Sequence, residues 1–199
     1  MSAIGVLALQ GDFAAHQHKL HELDATTRQV RTVDDLRGIR GLVIPGGESS
    51  VFLRLLAPDL KERLRAVIAD GLPTLATCAG VILLADQVSN PEQESLRVLH
   101  VNVKRNGYGR QVDSFVDPEL TWTTAGKKVL SGAKLECPDT VEGVFIRAPI
   151  IEDLKPSVEV LIKRESGPVF VKQKKILALT FHPELSGNQI IHQLFLGEC

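Results

Sequence analysis

One short stretch constrains this chain more than any other: residues 73–84, Pro-Thr-Leu-Ala-Thr-Cys-Ala-Gly-Val-Ile-Leu-Leu. It reads as a buried strand over 74–77, a sharp turn at Cys78 and a helix opening at Ala79. Small residues flank the turn, Ala76 two before the cysteine and Gly80 two after. That is the small-x-nucleophile-x-Gly elbow, with cysteine in the nucleophile's place. Bulky neighbours at those positions would collide across so tight a turn. The pattern needs a strand covered on both faces that feeds straight into a helix, which is the grammar of an α/β fold. The sulfur would then stand at the carboxyl edge of a sheet, against the positive end of a helix that favours a thiolate. Cysteine is also among the most buried residue types, so an inert core cysteine fits the same stretch.

Other apolar runs extend the sheet. Residues 4–9 and 41–44 are continuous buried-strand runs, 26–31 is a shorter candidate, and 176–181 is the last. A helix is expected from 13 to about 23, with Asp12 as N-cap, and an amphipathic one over 58–70, where Leu60, Leu64, Val67 and Ile68 share a face. Residues 34–39 suit a turn of helix, and 188–196 a closing helix capped by Ser186. Further strands are expected over 98–104 and 141–146. A hairpin over 158–172 turns at Glu165-Ser166-Gly167-Pro168. Residues 85–95 read as a polar loop, and 118–140 as a surface insertion holding the lone Trp122. With 199 residues, the expectation is one α/β domain: an open, mostly parallel (mixed) sheet with helices on both faces.

Composition removes several classes. A formal net charge of −1 gives no electrostatic case for nucleic acid or an anionic membrane. The opening apolar run is too short to span a bilayer and lacks a basic leader region. Three cysteines, Cys78, Cys137 and Cys199, are an odd and sparse set without metal spacing, which suits a reducing, cytoplasmic setting. His18 and His21 share a helix face, but no carboxylate or cysteine stands at matching spacing, and a solvated polar face accounts for them together with His16. Gly11 alone falls short of a glycine-rich phosphate loop, and no metal or cofactor motif is present.

Chemistry gathers where the strands end. Cys78, His182 and Glu184 supply a thiol, an imidazole and a carboxylate, each just past an apolar strand, where ligands of open α/β sheets bind. A thiol needs a base and the base an orienting partner. His182 and Glu184 stand two apart and can point the same way along an extended segment. Pro45-Gly46-Gly47-Glu48-Ser49-Ser50 follows a buried strand, and its glycines let backbone N–H groups aim at a developing oxyanion. Ser49 or Ser50 would cap the helix that follows. Residues 105–115, Arg-Asn-Gly-Tyr-Gly-Arg-Gln-Val-Asp-Ser-Phe, put two arginines and two glycines around the only tyrosine and suit a site loop, or a turn with solvated cations.

On these residues the chain resembles the class I, triad-type glutamine amidotransferases. The likeness lies in Thr77-Cys78-Ala79-Gly80, Pro45-Gly46-Gly47-Glu48-Ser49 and Phe181-His182-Pro183-Glu184-Leu185. More narrowly it resembles the family of glutaminase subunits of pyridoxal 5′-phosphate synthase, through residues 4–11, 105–115 and 144–149. Ala76 stands where glycine is more usual, and 118–140 is longer than the family leads one to expect. The resemblance implies a flavodoxin-like fold and hydrolysis of L-glutamine to glutamate and ammonia without a cofactor. The ammonia passes to a separate (β/α)₈ synthase subunit in a hetero-oligomer. It also implies that Cys78 attacks, His182 shuttles the proton and Glu184 orients it. Gly47 and Ala79 N–H groups would hold the oxyanion, and Gly47, Glu48, Ser49, Arg105, Ile146 and Arg147 would contact glutamine. The competing readings are a glutaminase serving another acceptor, such as the imidazole glycerol phosphate pathway, or a non-catalytic interaction subunit. The first lacks the 105–115 block and the second is at odds with an intact triad.

Overall fold

The computed structural model describes residues 2–107 and 114–199. Its first half alternates strand and helix: β1 (Ile4–Leu7), α1 (Phe13–Glu22), β2 (Thr27–Val30), β3 (Gly41–Ile44), α2 (Ser49–Leu55), α3 (Pro58–Ala69), β4 (Thr74–Thr77) and α4 (Ala79–Leu84). The second half is richer in strands: β5 (Ala85–Ser89), β6 (Leu99–Lys104), β7 (Ser114–Thr121), α5 (Thr124–Gly132), β8 (Thr140–Ile146), β9 (Ile150–Leu154), β10 (Glu159–Arg164), β11 (Gly167–Gln173), β12 (Ile176–Leu179) and α6 (Ile190–Glu198). A seven-stranded sheet in the order β10-β11-β12-β4-β3-β1-β2 organises the molecule. The five strands from β12 to β2 are parallel, and β10 and β11 return antiparallel as the expected hairpin.

Every residue of β1, β3, β4 and β12 is buried. Period-two alternation explains how both faces can be apolar. Leu42, Ile44, Ala76 and Ala178 face a core shared with α2, α3, α4 and the small β5-β6-β9 sheet. Val43, Leu75, Leu177 and Leu179 face the opposite core, closed by α1, α5, α6 and the β7-β8 ribbon. Helix α3 buries Leu60, Leu64 and Ile68 on the predicted stripe, with Val67 at its margin.

Several local expectations are corrected. Residues 118–140 do not form a loose surface insertion. β7 pairs with β8 through Thr121, and Leu120, Trp122 and Leu130 are buried in the second core. Thr123 accepts a hydrogen bond from the Gly126 N–H at 3.1 Å, capping α5, and donates to the Val160 carbonyl at 2.6 Å. The apolar residues are too widely spaced for the sequence to advertise that packing. Residues 85–89 are a strand rather than part of a loop, paired with β6; only Ala85 and Val88 of its five side chains are buried, which left the stretch polar in sequence. Asp12, Ser49 and Ser50 make no capping hydrogen bond to the helices they adjoin. Ser186 donates to the Pro183 carbonyl instead of capping α6, and Asn188 Oδ1 accepts from the Ile190 N–H at 2.7 Å. Of the 105–115 block, residues 108–113 lie outside the described residues.

Candidate active site

The elbow is built by two adjacent strands. The Cys78 N–H still belongs to the sheet, donating to the Leu179 carbonyl at 2.8 Å, while its own carbonyl already accepts from Val81 N–H at 3.0 Å as α4 begins. Meeting both demands puts Cys78 at φ 47° and ψ −104°, a strained conformation for a side-chain-bearing residue. Gly80 is needed for the close approach of α4 to β3: a Cβ there would sit 2.4 Å from the Ile44 carbonyl oxygen. The result is a cysteine fixed at the carboxyl end of β4, its Sγ 3.8 Å from the Ile146 carbonyl oxygen.

His182 follows β12, the neighbour of β4, and its N–H donates to the Val144 carbonyl at 2.9 Å. A single 3₁₀ turn, Pro183–Leu185, then folds Glu184 back so that its Oε1 lies 2.8 Å from His182 Nδ1. Both side chains are almost wholly buried. Burial alone would depress the His182 pKa, but the Cys78 sulfur and the Glu184 carboxylate outweigh it and raise the value to about 10. Burial pushes the Glu184 carboxyl up, while the neighbouring His16 and His182 rings hold it below its ordinary value. His182 Nε2 makes no hydrogen bond of its own. The ring therefore has one nitrogen anchored and one available.

Gly46 lies directly beneath this pair. A Cβ on it would stand 2.3 Å from His182 Cε1 and 3.2 Å from Cys78 Cβ. The next peptide is oriented too: the Gly46 carbonyl oxygen presses on Gly11, where a Cβ would come within 1.8 Å. The Gly47 N–H, trans to that carbonyl, points away from Gly11. Gln10 holds the loop from below, its Oε1 accepting from Glu48 N–H at 3.1 Å and its Nε2 donating to the Glu48 carbonyl at 3.2 Å.

A cavity of about 310 Å³ opens over the sulfur. Eight expected residues line it: Cys78, His182, Gly47, Glu48, Ser49, Arg105, Ile146 and Arg147. Asn106 of the expected 105–115 site loop joins them, and so does Ile82, which was not anticipated. Ala79 and Glu184 sit behind the wall, both buried, at the start of α4 and beneath His182. The cavity thus presents one carboxylate, Glu48, and two guanidinium residues, Arg105 and Arg147. Ser49 is buried and its hydroxyl donates to Gln93 Oε1 at 2.9 Å. A larger acidic cleft of about 670 Å³, bordered by Asp86, Glu92, Glu94 and Asp153, contains none of these groups.

Sequence reasoning missed the residue beneath the carboxylate. His16, grouped there with the solvated histidines of α1, is completely buried, its Nε2 3.2 Å from Glu184 Oε2. The available signal was helical spacing: Phe13, His16 and Leu20 recur at three and four residues, on one face. His18 and His21, by contrast, are on the outside as expected, near Glu22 and Thr27. Among the described residues no cluster of side chains has the makings of a metal site, and no helix is long and apolar enough to cross a membrane.

The model of the SNO glutamine amidotransferase family matches residues 6–199. The chain belongs to that family. A relative from Koribacter versatilis (strain Ellin345), named pyridoxal 5′-phosphate synthase subunit PdxT, is 50% identical over 193 residues, covering 97% of this chain and 93% of the relative. One of the same name from Thermotoga neapolitana is 45% identical over 194 residues, covering 97% of both. A crystal structure described as a glutamine amidotransferase superposes with a TM-score of 0.86 at 38% identity, over 99% of this chain and 98% of its own. A putative GMP synthase component from Thermoplasma acidophilum, at 18% identity and a TM-score of 0.70, shares the fold over 100% of this chain and 94% of its own. The SNO family fold is thus the class I amidotransferase fold, here with β10 and β11 as its antiparallel edge.

Proposed function

We propose that this chain is the glutaminase subunit of a pyridoxal 5′-phosphate synthase, hydrolysing L-glutamine and handing ammonia to a separate (β/α)₈ synthase subunit in the cytoplasm. The observation that carries the reading is the Cys78–His182–Glu184 arrangement opening into a cavity with fixed charges of both signs. A free amino acid has an ammonium and a carboxylate. Glu48 suits the first, and Arg105 and Arg147 suit the second. The names carried by full-length relatives support the pathway.

In this reading the Cys78 thiolate attacks the side-chain amide carbon, and the carbonyl π electrons move to oxygen. The Ala79 and Gly47 N–H groups receive that oxyanion. Protonated His182 gives its Nε2 proton to the departing nitrogen as the C–N bond breaks, leaving ammonia and a glutamyl thioester. Neutral His182 then takes a proton from water, whose oxygen attacks the thioester. Collapse releases glutamate and restores thiolate and imidazolium. Glu184 holds Nδ1 throughout, so that Nε2 faces the reaction. Glutamine turnover, measured with and without purified synthase subunit, tests the whole reading. Ammonia release abolished by Cys78→Ser is expected, and absence of turnover under both conditions refutes it.

A further inference from the structure

Behind the triad lies a second buried layer that the reaction as written does not use. His16 of α1 reaches Glu184 Oε2 at 3.2 Å and the Thr77 hydroxyl, also at 3.2 Å, with the same Nε2. Its Nδ1 lies 3.1 Å from Nε2 of His192 on α6. Both rings are fully buried. One imidazole therefore touches the residue preceding the thiol and the carboxylate behind the base, bridging the ends of the two strands that carry them.

The protons in this layer follow from the acceptors. An ionised Glu184 offers only lone pairs, so a lone pair on His16 Nε2 at that distance would be repelled. Nε2 must carry the proton, which leaves His16 Nδ1 as an acceptor. His192 must then supply the N–H from its Nε2, and its Nδ1 is unprotonated. That nitrogen has no hydrogen-bond partner, and neither has Glu184 Oε2, since the His16 Nε2 N–H is aligned on the Thr77 hydroxyl and stands beside the carboxylate oxygen without pointing straight at it. An empty acceptor there costs less than a stranded donor would. Burial lowers the His16 pKa by more than Glu184 raises it, and burial with His16 nearby lowers that of His192 to about 3. Two neutral rings are what this arrangement requires. The titratable groups facing His16 are Glu184 and His182 from the turn after β12, His192 from α6, and Asp12 from the start of its own helix. Lys19 of α1 faces His192.

We propose that His16 is a positioning residue of the triad: as the neutral Nε2–H tautomer, fixed by an N–H from His192 and bonded to Thr77, it sets the positive end of its N–H dipole 3.2 Å from Glu184 Oε2 and so holds the carboxylate that orients His182. The inference rests on the glutaminase reading for its effect on rate, though not for its proton assignment. A polar contact to a charged group that acts at one remove from the reacting atoms is worth roughly tenfold in rate.

Two measurements decide the matter. In ¹⁵N-histidine NMR spectra of the whole chain, His16 and His192 are expected as neutral Nε2–H tautomers from about pH 5 to about pH 9, across the range where free imidazole titrates. A proton on His16 Nδ1, or a cationic His16, overturns the proposal. In glutamine turnover with the synthase subunit present, His16→Leu is expected to lower kcat about 10-fold, with KM unchanged. The acid limb of its pH profile moves to higher pH, because a buried carboxylate deprived of that dipole is easier to protonate. His16→Gln, which keeps an N–H within reach, is expected to recover much of both. If His16→Gln is as impaired as His16→Leu, or if neither differs from wild type, His16 only fills space and the proposal fails. Should His16→Leu not fold, the Gln variant and the spectra still decide. A wild-type chain that turns over no glutamine defeats the functional reading and leaves the spectra to judge the proton assignment.

Discussion

Gly46→Ala is the sharpest perturbation the structure offers, because it adds a single methyl group beneath the base. The new Cβ would lie 2.3 Å from His182 Cε1, against an ordinary carbon–carbon contact of about 3.5 Å, so ring and loop must part by about 1.2 Å. The ring cannot retreat without lengthening its 2.8 Å contact to Glu184 or shifting against Cys78, whose Cβ is itself 3.2 Å from the added atom. If the loop moves instead, it carries Gly47 and Glu48 with it. Either relaxation misplaces reacting groups by about 1 Å, a displacement that costs on the order of 10²-fold in rate. Overpacking of this kind destabilises by about 1–3 kcal/mol, leaving a folded protein for assay. The assay is glutamine turnover with synthase present, with thermal unfolding as the check on folding. Gly187→Ala is the control, since a Cβ there meets nothing within 4 Å. A Gly46→Ala variant that keeps kcat within about twofold of wild type would show that the base tolerates displacement and would refute the geometric argument for its placement.

A glutamine-derived diazoketone is expected to modify Cys78 and spare Cys137 and Cys199, both of which lie outside the cavity; peptide mapping that finds the label mainly on either of these rejects the assignment of the nucleophile. Glu184→Gln is expected to keep more activity than His182→Asn, because an amide oxygen can still accept from Nδ1 whereas the base has no substitute; the reverse ranking in kcat would reverse the roles. A His182 pKa raised from 6.5 to about 10 means that the protonated ring contributes stability in full below about pH 6.5 and loses it as pH rises through about 10. Thermal unfolding midpoints should therefore fall more steeply across that window in wild type than in His182→Asn, and parallel curves would contradict the shift. Adding the synthase subunit is expected to raise turnover by on the order of 10²-fold, the worth of one oxyanion donor, by setting the Gly46–Gly47 peptide from a docking surface on residues 9–23, the part of the 4–23 stretch that lies beyond the buried β1. The Gly46 carbonyl already presses on Gly11 within that surface; full activity of the lone chain, unchanged by partner, discards the gate.

The parts of the fold legible in the sequence were those whose signal is local and dense. β1, β3 and β12 are runs of buried residues with no polar interruption, β4 carries polar groups only in Thr74 and Thr77 at its two ends, and a strand apolar on both faces has few places to go other than the middle of a parallel sheet. The elbow could be read because its pattern is compact, with Ala76 and Gly80 two residues either side of Cys78, although the contacts that demand it come from Ile44 and Leu179 on neighbouring strands. The 118–140 segment was illegible for the opposite reason. Trp122 and Leu130 gain their burial from β10 and β11, some forty residues later in the chain, and nothing near them in sequence announces that partner. The capping serines misled because a hydroxyl's preferences are weak. Ser49 gives its proton to Gln93 and Ser186 to the carbonyl of Pro183, bonds that only the assembled loops make available.

The same distinction separates the triad from the layer behind it. Cys78, His182 and Glu184 each end an apolar strand, so sequence places them at one sheet edge before any coordinate is known. His16 carries no such mark, since a histidine followed in its helix by Gln17, His18, Lys19 and His21 has the composition of a wet surface. What puts it inside is the packing of α1 and α6 over one face of the sheet, which brings His16 and His192 together across 176 residues. Burying two imidazoles is unfavourable unless their N–H groups find acceptors. In this core the outermost polar group is the Glu184 carboxylate, held below its ordinary pKa and, in the proposed reaction, the partner that orients the base. The polar layer and the triad therefore depend on each other. Glu184 stands 3.2 Å from the His16 ring that Thr77 and His192 satisfy, and that ring is one of the groups that hold a buried Glu184 below its ordinary pKa.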